Sequence, residues 1–155
     1  MSRIKNWASG SKIRIGLLIL VGGFLLIQFV PYGRDHSNPP VTRQAQFDSP
    51  RTEQLVSDAC DACHSNLTTW PLDSNVAPFS WLIQRDVEEG RGILNFSEWD
   101  RPQAEAGDVG EVISEGEMPP LQYKLLHSSA RLSDTEKQDL IDGLARTYEQ
   151  DPPGS

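Results

Sequence analysis

Read from the N-terminus, the pattern of apolar and polar positions changes character twice. Ile15 to Val30 is an apolar run of 16 residues in which Gln28 is the one strongly polar side chain. From there to Asp48, Pro31, Gly33, Asn38, Pro39 and Pro40 among polar neighbours remove any period, which predicts an extended linker over residues 33–48. Helical spacing then begins. Leu55, Val56, Ala59, Cys60 and Cys63 share one face of a helix capped by Ser49 and opened by Pro50. Residues 65–76 read as a turn-rich loop. Phe79, Leu82, Ile83 and Val87 mark a second helix, opened by Pro78 and stopped at Gly90. Ser97–Arg101 reads as one turn, and Val109, Val112 and Ile113 as a short third helix ending at Gly116. Ser133-x-x-Glu136 is a capping box for the last helix, whose expected buried stripe is Leu140, Ile141, Leu144, Ala145 and Tyr148. With no repeat and no period-two alternation, the expected fold is all-α: one helical domain over residues 49–150 and a frayed tail at 151–155.

The apolar run falls short of the roughly 20 residues of a membrane span. Ile13, with Arg14 reaching back to the headgroups, supplies a further turn. Residues 15–32 are therefore expected to be a transmembrane anchor, with the basic flank 1–14 held in the cytoplasm by the positive-inside rule. A cleaved signal peptide is the alternative, although Phe29-Val30-Pro31-Tyr32-Gly33 offers no small-x-small cleavage site. Either reading exports the remainder. All 22 acidic residues follow position 30, against ten basic ones, a formal charge of −12 for that part. Phosphate backbones would repel it, so nucleic acid is excluded as a partner and a partner with a basic docking face is favoured.

The only two cysteines lie in Cys60-Asp61-Ala62-Cys63-His64. Two thiols at this spacing, followed at once by an imidazole, suit covalent attachment of a haem through its vinyl groups with His64 as the axial ligand. A thioredoxin-like pair would need a βαβ setting, a zinc site a fourth ligand, and a short disulfide would leave His64 without a role. For the second axial position the chain offers one internal methionine, Met118, on a loop stiffened by Pro119 and Pro120. His127 and His36 are rival ligands, and an open sixth site is the remaining alternative. Trp70, Trp81 and Trp99 are candidates to cover a porphyrin, with an indole N–H to a propionate. Arg85 and Arg91 are candidates to pair with propionates. Pro71 or Pro78 is a candidate to offer its carbonyl to the His64 ring N–H.

Taken together, Cys60-x-x-Cys63-His64-Ser65-Asn66, Thr69-Trp70-Pro71, Ala77-Pro78-x-Ser80-Trp81-Leu82, Leu94-Asn95-Phe96-Ser97-x-Trp99 and Gly116-Glu117-Met118-Pro119-Pro120 resemble a small bacterial haem-binding domain over roughly residues 50–147. Leu72 departs from it, standing where an aromatic residue is expected after Trp-Pro. The resemblance implies a monohaem, cytochrome c-like helical domain with one covalent haem c. Cofactor-binding residues are then Cys60, Cys63, His64, Met118, Trp81 and Arg91, with His64 and Met118 on the iron. The expected function is a membrane-anchored electron carrier, not an enzyme, on the periplasmic side of the bacterial inner membrane, exchanging electrons with redox proteins there. A haem sensor or a peroxidase-like enzyme with an open sixth site is the alternative.

Overall fold

The computed structural model describes residues 2–103 and 106–155, with the side chains of residues 2–10 left aside. Among them no strand forms. One isolated parallel bridge, Arg43 to Glu98, is the only ladder contact. The all-α expectation is met.

Two compact units are distinguishable, residues 1–36 with 71–84 and residues 37–70 with 85–155. In the first, α1 runs Ser2–Ile27. Of the expected span, Ile15–Ile27 is helical, 13 residues or about 20 Å of rise. Among the described residues no helix is long and apolar enough to cross a membrane. Past Ile27 the backbone stays paired as a tightened turn: the amides of Gln28, Phe29 and Val30 donate to the carbonyls of Leu25, Leu26 and Ile27. Gln28, the polar exception in the run, has a local purpose. Its Nε2 donates to Ala77 O at 2.9 Å and its Oε1 accepts from Ala77 N at 3.0 Å, a two-pronged bracket on one backbone residue.

In the second unit, Ser49 caps α2 (Pro50–Ala59) and its hydroxyl accepts from Thr52 N. The helix does not continue to His64. Cys60 leaves helical geometry, with φ −124°, and a fresh turn, α3 (Asp61–His64), begins behind it. Cys60 therefore sits at a break between helices and Cys63 within the new turn, not together on one continuous helix. α4 runs Phe79–Ile93, straight through the expected stop at Gly90, with residues 79–84 counted in the first unit and 85–93 in the second. A 3₁₀ turn at Ala106–Asp108 leads into α5 (Val109–Ser114). Gly116, at φ +78°, ends it as expected: Gly116 N donates to Ile113 O and Glu117 N to Val112 O, the paired bonds of a Schellman stop. A helix not foreseen, α6 (Leu121–Leu126), follows the two prolines. α7 (Asp134–Gln150) opens with the expected capping box on Ser133 and Glu136. Its buried side is Leu140, Gly143, Leu144 and Thr147, while Ala145 is exposed.

α7 packs against α2 and α5, and the core between them gathers Leu55, Val56, Phe96, Trp99, Ile113, Leu140 and Leu144. Two segments read as loose are part of this body. Ala45 is buried and Phe47 packs on the core, while Ala45 N donates to Phe96 O and Trp99 N to Arg43 O. At the other end Asp151 is buried and ion-paired with Arg43, and Gly154 N donates to Trp99 O. Both segments satisfy the main chain of 96–99, a pairing distant in sequence that no local pattern announces. The turn expected at Ser97–Arg101 is present, with Arg101 N donating to Glu98 O, and Ser97 and Trp99 within it are buried.

Candidate functional site

A cavity of about 440 Å³ opens in the second unit, within the range of small-molecule sites, and every residue lining it belongs to that unit. Cys60, Cys63 and His64 line one part of it, and Met118, Pro119 and Pro120 another. Its remaining wall is largely apolar, with Ile93, Leu94, Phe96, Val112, Ile113, Leu140 and Leu144 among the lining residues. The break at Cys60 and the Schellman stop at Gly116 are thus the two local devices that bring the sequence-predicted donors to one space.

The approach of α4 to the cysteine turn is set by Gly90. A Cβ added there would lie 2.6 Å from Cys63 O and 3.1 Å from Cys63 Cβ, which no side chain tolerates without movement. Glycine stands at this point because the helix must pass the Cys63 backbone closely, and the helix continues because that packing outweighs a propensity cost of about 1 kcal/mol.

His64 Nδ1 lies 3.0 Å from Leu94 O. That bond assigns the proton to Nδ1 and leaves Nε2 as the free ring nitrogen. Burial, only partly offset by this carbonyl and that of Gly90, holds the imidazole below its usual pKa, so it is neutral near pH 7 and able to ligate. The carbonyl comes from Leu94, neither from Pro71 nor from Pro78. Being a main-chain atom, it had no side-chain signature to find.

Both cysteines are free, half-buried thiols. Burial first, then the charge of Asp61, pushes Cys60 up to about 12, and burial, then Asp86, pushes Cys63 up to about 11. Redox-active C-x-x-C pairs and metal thiolates need the opposite shift. Among the described residues no group of three His, Cys, Asp or Glu side chains is placed to hold a metal ion, so a zinc site lacks its donor set. Asp61 has one carboxyl oxygen buried without a hydrogen-bond partner, and burial, then Glu53, raises it to about 6. A neutral pair of thiols, a neutral imidazole and a thioether on an apolar wall fit a haem with covalent attachment.

Other expectations do not gather here. Arg91 does not line the cavity: its guanidinium donates to Ser65 O at 2.8 Å, Asn38 Oδ1 at 2.7 Å and Thr68 Oγ1 at 2.9 Å, stapling the loop after His64. Trp81 lies in the first unit, outside the lining set, its indole N–H buried without a hydrogen-bond partner. Trp99 is core, donating to Asp151 O, and Trp70 donates to Asn38 Oδ1. Arg85 pairs with Glu89 one helical turn on. His127 stacks on Tyr123 with ring centroids 4.0 Å apart and does not line the cavity, and His36 lies against Ser74 O in the first unit. The aromatic lining is instead Phe96 and Tyr123. Tyr123 follows the Met-Pro-Pro run among the residues that carry the family resemblance, and sequence reasoning gave it no role.

Residues 22–146 match the family model described as the haem-binding domain, and the chain belongs to that family. The match reaches well upstream of position 50, taking in the packed segment 37–48. Neither a curated protein nor a solved structure matches the chain.

Proposed function

We propose that this member of the haem-binding domain family is a c-type haem protein that passes single electrons and does not transform a substrate. Haem, when bound, supplies a one-electron iron couple. Cys60 and Cys63 hold it covalently, His64 offers Nε2, and Met118 offers its sulfur. The observation that carries the reading is that both thiols, the imidazole with its Nδ1 already committed, and the chain's one internal methionine line a single apolar cavity. Met118 is 39% exposed, consistent with a ligand at the edge of its site. The lining carries Asp86, Glu89, Asp108 and Glu117 and no Lys or Arg, which supports a redox partner with a basic face. The peroxidase alternative lacks support, since neither His127 nor Arg91 lines the cavity.

α1 is proposed as the anchor that holds this domain to the bacterial inner membrane with the haem on the periplasmic side. Ile13, Leu18, Ile19, Leu20 and Leu26 are each more than 60% exposed, apolar surface that water does not stabilise. The i−3 bonds up to Val30 satisfy the amides of residues 28–30 and the carbonyls of residues 25–27, lengthening the apolar stretch beyond the helix proper. A version beginning at Pro31 is expected in the soluble fraction and the full chain in the membrane fraction; equal partition of the two defeats the anchor.

Optical spectra test the ligand set. The Met118→Ala chain is expected to lose the weak far-red ferric band of a methionine–iron bond and to bind carbon monoxide when reduced, while the parent does not. An unchanged spectrum removes Met118 from the iron, and immediate carbon monoxide binding by the parent favours a sensor with an open site.

A further inference from the structure

The stretch Leu94–Ser97 follows α4, joined to it by Leu94 N donating to Gly90 O, and every residue in it is buried. It is tied to the residues just past the cysteine turn. Phe96 N donates to His64 O at 2.8 Å, Asn66 N to Ser97 Oγ at 3.0 Å and Asn95 Nδ2 to Asn66 Oδ1 at 2.9 Å. One further bond concerns the carbonyl that faces the imidazole. Leu94 C=O and Asn95 N–H belong to one planar peptide unit and point to opposite sides of it. The carbonyl faces His64 Nδ1 at 3.0 Å, and the N–H donates to Gln103 Oε1 at 3.0 Å. Turning that carbonyl away from His64 would break the Gln103 bond. Gln103 is itself held, 7% exposed, by Nε2 donating to Glu98 O at 2.9 Å.

We propose that Gln103 is a positioning residue for the axial histidine: it aims the Leu94 carbonyl at the imidazole through the intervening peptide plane. The inference rests on His64 being the iron ligand. A carbonyl held on Nδ1–H makes the ring a stronger donor at Nε2 and favours ferric iron. A peptide polarised at its N–H end by the Gln103 amide is also the better acceptor at its carbonyl end.

Two substitutions separate aiming from structure. Gln103→Met and Gln103→Glu both lose the bond to Glu98 O and both lower stability, but only Gln103→Glu keeps an acceptor for Asn95 N–H. In the haem-loaded full chain, Gln103→Met is expected to shift the oxidation equilibrium about tenfold toward the ferrous form, a rise of about 59 mV in midpoint potential for a one-electron couple. Gln103→Glu is expected not to rise. Asn66→Leu, which leaves the Gln103 bond in place, is expected to keep the parent potential. Equal potentials in parent and Gln103→Met, or the same rise in both Gln103 variants, overturns the proposal. If Gln103→Met does not load haem, ¹⁵N NMR of the His64 ring in the unloaded full chain gives the answer. The parent is expected to hold the proton on Nδ1 and the variant to mix tautomers, and identical spectra overturn the proposal. A parent chain that never acquires haem counts against the proposed function, whereas the ring spectra still decide the role of Gln103.

Discussion

Alanine at Gly90 is the sharpest perturbation of the way this site is built. The new methyl carbon would lie 2.6 Å from the Cys63 carbonyl oxygen, against an ordinary contact of about 3.5 Å, so helix and cysteine turn must separate by roughly 0.9 Å. Overpacking of this kind costs about 1–3 kcal/mol. Removing a glycine from a helix interior returns about 1 kcal/mol, leaving a net loss between roughly zero and about 2 kcal/mol. Gly92 provides the control, since a Cβ there meets nothing within 4 Å and the same helix carries it. Gly92→Ala should therefore stabilise by up to about 1 kcal/mol. Urea unfolding of the full chain followed by tryptophan fluorescence reads the stability of both variants. Haem retained on denaturing gels reads how much of each chain was matured. Gly90→Ala is expected to be less stable than Gly92→Ala and less completely loaded. Equal stability and equal loading in the two variants would refute the close approach of α4 to Cys63 as a requirement of the site.

Three further outcomes are expected. Ser133→Ala removes one half of the capping box on α7 and should lower stability by about 1 kcal/mol in the same urea assay. Glu98 is held below its usual 4.5, first by the Asn66 amide and, against the opposing effect of burial, by Arg101. A lowered folded-state value contributes stability above the unfolded value that is lost as pH falls through the folded one. Melting temperature should thus fall more between pH 5 and 3 in the parent than in Glu98→Gln, and parallel curves would count against it. Arg91→Leu frees the loop at Ser65 and Thr68 without touching the cavity lining, so proteolysis after residue 65 should accelerate while the haem spectrum stays as in the parent.

How much of this was legible follows the range of the interactions. Ser49–Pro50, the Ser133 capping box and the Gly116 stop are local chemistry, settled within a few residues, and each stands where its pattern puts it. The convergence of Cys60, Cys63, His64 and Met118 could be argued from residue type alone, because so few donors were available. Gly90 looked like a stop, since a glycine's tertiary neighbour is invisible in the sequence. Arg91 and Trp81 were assigned to a haem by chemical suitability, and neither lines the cavity; the Arg91 guanidinium bonds to Ser65, Asn38 and Thr68 instead. The segment 37–48 read as a linker because its prolines and polar residues obscure a short period-two pattern, Arg43, Ala45 and Phe47, that belongs to an extended strip pairing with 96–99. Leu94's carbonyl and the Asn95–Gln103 bond involve the main chain, so composition and periodicity say nothing of either.

The proposed function stands on Cys60 and Cys63 fixing one haem to this chain. Intact mass of the matured full-length protein, with titration of its thiols after denaturation, tests it most directly. Expected are the mass of the chain plus one haem and no titratable thiol, and the chain mass alone from Cys60→Ala/Cys63→Ala. A parent that shows the bare chain mass and two free thiols while its native form carries haem contradicts it.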